Sequence, residues 1–448
     1  IMKKYTVSAY AKPITSVYAA YMLTLFLLGF GVGGYGNITK VKYVLFLVGS
    51  IAYLGSLLLI TLELAVINRV YLPKIKSFVK SLSALHWSIA AFVFFAALST
   101  LLSPYKDVAW LGSSRKEGLS TLLIYAAVFF LVSRYGVWKK WYLWLIVFTL
   151  TVNAGVSLLQ MAGCDPFNLF PGDATYHDAY ILYNGEFLGT VGNADLFAAL
   201  LCLLMPVIFV WAVRVKKYLP LLAVFALCLA SLLFSKVAAG AVGMAACAAV
   251  FVPFIFAKGK KQLLRLYIFA VVLVICALCA VYIFGDRLGG HFADISSFLR
   301  GEISDNMGSG RIAVWRKVLP LVKEKPLFGT GPDTLGARLD FYFERYIASK
   351  DVVIRSNVDT AHNEYLNLAV NVGIPAALAY VAALAISLVR CIRNREDNIT
   401  LALGAGIFAY GVQAFFSFSQ CIVTPVFWLL WAMLANRFTC IKENENNV

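Results

Sequence analysis

Charge is what this sequence lacks. Only 14% of its 448 residues are Asp, Glu, Lys or Arg, against roughly 25% in a soluble domain. With repeated apolar runs of about 20 residues, that deficit excludes an ordinary soluble fold and leaves an all-α, polytopic membrane protein. Strict polar–apolar alternation is missing too, which excludes a membrane β-barrel. The nine cysteines are scattered, mostly inside apolar runs (Cys202, Cys228, Cys247, Cys276, Cys279), and form no disulfide framework. The C-x-x-C at Cys276 and Cys279 lies mid-run and reads as small packing residues rather than a redox or zinc pair. There is no phosphate loop, dinucleotide fingerprint, nucleophile elbow or H-E-x-x-H. Neither is there internal symmetry of the kind many transporters carry. Glu63 is the only acid well inside an early run, where pairing with Arg69 explains it better than proton relay.

What is present is basic. The net charge of +16 has no basic soluble domain to serve, so nucleic acid is not the partner; basic loops on one membrane face explain it. The apolar runs predict about twelve transmembrane helices: 16–35, 43–67, 84–103, 118–134, 141–161, 193–213, 218–235, 237–257, 266–285, 363–389, 400–418 and 421–436. Lys3, Lys4 and Lys12 ahead of the first read as the flank of a signal anchor. With the N-terminus placed in the cytoplasm, inner segments hold 22 Lys and Arg and the short outer loops only six, namely Lys40, Lys42, Lys106, Arg115, Lys116 and Lys236. The positive-inside rule then holds at every step and makes both termini cytoplasmic. The chain divides into spans one to nine (1–285), a large extracytoplasmic loop (286–362) and spans ten to twelve with a tail (363–448).

That loop is where polar chemistry has room. Gly-Ser-Gly-Arg at 308–311 opens a segment with Ile312, Trp315, Leu319 and Val322 on one helical face, which predicts an amphipathic helix on the outer leaflet. Leu339, Tyr342, Phe343 and Tyr346 suggest a second over 336–348. The loop ends in D-T-A-H-N-E-Y-L, a helix start with Asp359 or Thr360 as cap and Glu364 at the positive dipole end. Asn363, Asn367 and Asn371 recur every fourth residue, a polar stripe of the kind that faces a bundle interior or wet cavity. On spacing alone, His362 reads more readily as a capping, interface-level residue than as a catalytic one. Cations left on outer loops invite an anion: guanidinium offers a diphosphate paired hydrogen bonds and a permanent charge, although lipid phosphates would also satisfy such side chains. Asn193 and Asp195, at the start of the sixth span, can cap a helix or hold a sugar hydroxyl. The acids Asp165, Asp173, Asp178 and Glu186 with His177 fit no metal-ligand spacing.

Taken in order, four stretches resemble the O-antigen ligase and polymerase superfamily: R-K-E-G-L-S-T-L-L-I-Y from Arg115, G-T-V-G-N-A-D-L-F-A at 189–198, S-G-R…W…P-L-F-G-T-G-P over 309–332, and H-N-E-Y-L at 362–366. Each motif is weak alone; the ordered set, spanning about residues 100–390, is fairly specific. The resemblance implies a glycosyltransferase at the outer face of the bacterial cytoplasmic membrane. It would move glycan from a polyprenyl (undecaprenyl) diphosphate donor to a glycan, lipid or protein acceptor hydroxyl, without metal or other cofactor. It makes His362 the base or orienter of the acceptor, with Glu364 behind it, and Arg311 a diphosphate clamp alongside Arg115 and Lys236. Asn193, Asp195, Asn363 and Asn367 become candidate sugar contacts. The chain departs from the family at Ser235-Lys236, where Ser-Arg is common; lysine keeps the charge but loses the bidentate fork. Ligase, polymerase and protein O-glycosyltransferase remain open within the class, and a flippase for lipid-linked sugars is the rival outside it. Alkaline phosphatase fused after Gly301 should be active and a fusion after Lys261 inactive. The opposite pattern would overturn the topology.

Overall fold

The computed structural model describes residues 6–66, 79, 81–170, 188–215, 219–347 and 352–446. Arg69, expected beside Glu63, and Asp173, His177, Asp178 and Glu186 lie outside them. Helices dominate. In the bundle they are α1 (Val7–Tyr21), α2 (Ile38–Val66), α3 (Ala84–Leu101), a short α4 (Lys106–Leu111), α5 (Leu119–Tyr135), α6 (Trp141–Met161), α7 (Ala194–Arg214), α8 (Leu219–Phe234), α9 (Ala238–Phe256) and α10 (Lys260–Leu288). Then come α11 (Gly290–Leu299), α12 (Arg311–Glu324), α13 (Leu335–Arg338), strands β1 (Tyr342–Ile347) and β2 (Val352–Asn357), and finally α14 (Glu364–Val372), α15 (Ile374–Arg393), α16 (Asn398–Gln413) and α17 (Thr424–Asn446).

Among the described residues, eight helical segments are long and apolar enough to cross a membrane, and α5 and α8 are shorter apolar helices. The expected first span, 16–35, is instead α1 followed by a π-helical turn at Met22–Phe26. A π turn disturbs the regular i→i−4 ladder, and the carbonyls at its end draw partners from elsewhere. Thr149 donates to Leu23 O at 2.6 Å, Thr190 to Leu27 O at 2.8 Å, and the Lys42 ammonium to Phe26 O at 2.8 Å and Leu27 O at 2.5 Å. Lys42, counted above as an outer-loop charge, is therefore wholly buried. The expected tenth span, 363–389, is two helices broken at Gly373, whose φ of +92° and ψ of 160° favour glycine.

α7 is the centre of the bundle, with 89% of its most apolar window buried, whereas the corresponding window of α10 has none. Around α7 pack α16 and α9; α15 lies on α3, and α17 on α5. One continuous apolar core joins them, with Tyr125, Phe129, Phe427 and Trp431 fully enclosed. In a membrane this tight packing, rather than water expulsion, holds helices together.

The large loop folds on itself. α12 forms where expected, but its buried face is Val314, Val318 and Val322, while Leu319 is exposed. These valines meet Leu335, Leu339, Val358, Ala361 and Val370 in a second small core, so α12 is part of a cap rather than a helix lying on a leaflet. The second expected helix is only Leu335–Arg338; beyond it the chain forms an antiparallel hairpin with Tyr342 opposite Asn357 and Ile347 opposite Val352. The periodicity of Leu339, Tyr342, Phe343 and Tyr346 suits a helix, but a stretch this rich in aromatic and β-branched residues also suits a pleated ribbon, and 352–357 supplies the partner strand.

The cap is fastened at the break in the tenth span. Thr330 N and Gly331 N both donate to Asn371 O, at 2.9 and 2.8 Å, and Ile374 N donates to Pro326 O at 2.8 Å. A Cβ on Gly373 would collide with the backbone of Leu327 and Phe328. Gly373→Ala should therefore cost at least the about 1–3 kcal/mol of its backbone conformation, read as a lowered thermal midpoint of the detergent-solubilised protein. An unchanged midpoint would show that the joint is not held this tightly.

Candidate active site

Five short stretches meet where the cap sits on the bundle: the loop before α5, the start of α7, the start of α12, the turn before α14, and the turn after α16. Arg115 comes from the first. Its guanidinium donates through Nε and Nη2 to Asp359 Oδ1, at 3.1 and 2.6 Å, and Ser114 Oγ donates to Asp359 Oδ2 at 2.8 Å. Burial alone would raise Asp359, but Arg115 and Ser114 outweigh it and hold the carboxyl below the usual carboxylate range. Among the described residues none hydrogen-bonds Arg115 Nη1, so part of the fork can meet an anion.

Arg311 is more fully committed. Its Nε donates to Phe416 O at 2.8 Å, Nη1 to Gly308 O at 2.8 Å, and Nη2 to Asp195 Oδ2 at 3.3 Å. A guanidinium carries five N–H groups, so two remain. Asp195 is held from its other side by Gln413, whose amide donates to the Asp195 carbonyl at 3.1 Å. Asn193 caps α7, its Oδ1 accepting from Leu196 N at 3.1 Å.

His362 lies within the electrostatic reach of both arginines. Its backbone is left-handed, φ +46°, and its half-buried imidazole hydrogen-bonds no described residue. The Phe418 ring meets it edge-on, with centroids 5.2 Å apart and planes at 85°. Burial, Arg115 and Arg311 in that order push His362 down to about 3, against a smaller opposite pull from Asp359. The ring is thus neutral at physiological pH, with unpaired nitrogens. Glu364 does not touch it; that carboxylate is buried and accepts from Ser419 N at 2.8 Å.

The asparagine stripe serves the backbone. Asn363 caps α14 through Leu366 N at 3.0 Å. Asn367 Oδ1 accepts from Ala361 N at 3.4 Å and from Asn371 Nδ2 at 3.2 Å, and Asn371 Oδ1 accepts from Thr334 N at 3.1 Å. Lys236, at the tip between α8 and α9, is exposed, with no ion pair or side-chain hydrogen bond to a described residue. Arg115, Arg311, Asp195 and His362 are brought together; Asn193, Asn363 and Asn367 adjoin them as caps and ties; Lys236 shares no hydrogen bond or ion pair with them among the described residues.

Three contributors are less evident in the sequence. Asp359 reads there as a cap, and Trp315 as an apolar face residue and the tryptophan of the S-G-R…W stretch. Trp315 donates its indole N–H to Ala361 O at 2.9 Å, bracing the turn that carries His362. The turn Gln413–Gln420 was taken as the end of a span, yet it contacts Arg115, Arg311, His362, Glu364 and Asp195. One structural signature runs through these stretches. Among the described residues, six non-glycine residues have positive φ, and five of them (Lys116, Lys236, Ser309, Asp333 and His362) fall on or beside the motifs. Strain of this kind clusters at functional sites.

Two guanidiniums, their carboxylate partners and an imidazole that hydrogen-bonds no described residue thus meet at one end of a helical bundle, under a folded cap: the chain is a multi-pass membrane protein. Residues 223–381 match the family model described as O-antigen ligase, which supports placing the chain in the O-antigen ligase superfamily. The match takes in Lys236, Arg311, His362 and Glu364, while Arg115, Asn193 and Asp195 lie upstream of it. No curated protein matches the chain. In ¹³C-histidine NMR, assigned with His362→Gln, the His362 signal should stay in its neutral position from about pH 8 to about pH 5, across the ordinary histidine range. A midpoint within that range would show that burial and the two arginines do not hold it down.

Proposed function

We propose that the protein transfers or polymerises glycan from a polyprenyl-diphosphate-linked donor onto an acceptor hydroxyl at the extracytoplasmic face of the bacterial cytoplasmic membrane. One observation carries this reading: a neutral, unpaired His362 lies beside two guanidiniums that retain unengaged N–H donors. Such a site suits a substrate whose leaving group is a dianion or trianion and whose nucleophile must lose a proton. The acceptor oxygen attacks the anomeric carbon as the bond to the diphosphate oxygen breaks. The electron pair leaves on the diphosphate, which Arg115 and Arg311 neutralise, and His362 takes the hydroxyl proton. A diphosphate is already a good leaving group, so charge stabilisation and positioning carry most of the catalysis. The two arginines supply the positive charge without a metal ion.

An apolar cavity of about 520 Å³ beside the site supports a lipid-linked donor. Tyr365, Leu384, Ser387, Phe408, Phe415 and Phe416 are among its lining residues, and Phe416 is the residue whose carbonyl holds Arg311. An amphiphile with its head on the guanidiniums would have a place for its first apolar carbons.

The donor also changes the base. Its negative charge offsets the field of Arg115 and Arg311, so His362 gains proton affinity when the donor is bound. The profile of kcat/KM, which reports the free enzyme, should therefore lack an acid limb near the ordinary histidine range, while that of kcat, which reports the complex, should show one at higher pH. With purified lipid-linked glycan, His362→Ala should lower turnover about 10²–10⁴-fold with little change in donor KM. Arg115→Lys should chiefly raise donor KM, because the planar fork is lost while the charge stays. Normal turnover in His362→Ala would sink the role given to it. A ladder of products marks a polymerase and a single transfer a ligase or protein glycosyltransferase; gradient-driven uptake without a new glycosidic bond would mark a transporter instead.

A further inference from the structure

Phe418 is 5% exposed and belongs to none of the motifs that point to the site. Its ring lies 3.8 Å from the Arg115 guanidinium carbon, face to cation, and 5.2 Å from the His362 ring at a right angle. The chain on either side is fixed: Phe416 O accepts from Arg311 at 2.8 Å, and Ser419 N donates to Glu364 at 2.8 Å. The backbone that carries the ring is therefore held on both sides, and the ring itself is buried. An aromatic face attracts a guanidinium through its quadrupole but takes none of its N–H donors. A second carboxylate at that place would hold Arg115 equally well and cancel the charge needed for an anion. A phenyl ring orients the cation and leaves it a cation.

We propose that Phe418 is a positioning residue of this site, holding the Arg115 guanidinium by its face and the His362 imidazole at its edge, so that the anionic leaving group and the acceptor hydroxyl are presented at one fixed spacing. This rests on the glycosyl-transfer reading of the site. It assigns a role to the turn between α16 and α17: that turn sets the distance between the part that receives charge and the part that receives the proton.

Progressive fluorination separates this role from simple space filling, because fluorine drains the ring face with little change of shape. 4-Fluoro-, 3,5-difluoro- and 3,4,5-trifluorophenylalanine are placed at position 418. Binding of polyprenyl diphosphate to the solubilised chain and glycan transfer are then measured for each. Donor KM and the polyprenyl diphosphate Kd should climb in steps to about tenfold at three fluorines, with Phe418→Tyr close to the parent and Phe418→Leu beyond the trifluoro variant. A series flat in both measurements, with the parent active, overturns the role of Phe418 and leaves glycosyl transfer standing. A parent chain that neither binds polyprenyl diphosphate nor transfers glycan overturns the reading beneath it, and the proposal with it.

Discussion

The constraint on which this structure depends is the three-way anchorage of Arg311. One guanidinium bonds a carbonyl in the turn after α16, a carbonyl in the cap and a carboxylate at the head of α7. Those three points belong to the last third of the bundle, the folded loop and the bundle's central helix. A cation so enclosed is costly unless several acceptors answer it. The elements that supply them are thereby held in one arrangement, and Arg115 with Asp359 repeats the device from the other side. Losing one partner of either pair would leave an uncompensated charge in a largely enclosed place.

The two pairs explain why the site is both charged and strained. Burial first, and the guanidiniums of Arg115 and Arg311 after it, keep the His362 imidazole unprotonated. Left-handed backbone at His362, Ser309 and Asp333 aims these side chains in directions that regular helix ends would not allow. The small core beneath α12 and the bonds of Asn367 and Asn371 to the cap hold that strain in place. Asparagines that looked like substrate contacts are part of this support.

Much of the architecture was legible from the residues. Scarcity of charge and the long apolar runs required a helical membrane protein, and the cap and α12 stand where Gly-Ser-Gly-Arg and the polar loop put them. Arg115, Arg311, Asp195 and His362 could be singled out because charged or histidine side chains at such places need a reason. Phe418 and Asp359 could not: in this composition one more phenylalanine is unremarkable, and an Asp before a helix is ordinary as a cap. The break at Gly373 was hidden inside a run apolar enough to be one span, and the β-hairpin behind a spacing that a helix and a ribbon can share.

By itself, then, the sequence determined the class of protein and the identity of the charged groups, because hydropathy and the expense of charge near a bilayer act residue by residue. Which face of α12 is buried, that Lys42 caps a π turn instead of facing outward, and that Glu364 turns to Ser419 rather than to His362 were decided by tertiary structure alone. The physical reason is that each depends on hydrogen-bond partners far away in the chain. Leu27, Ser419 and Asp195 lie 15, 55 and 116 residues from Lys42, Glu364 and Arg311, and no local pattern records such distances.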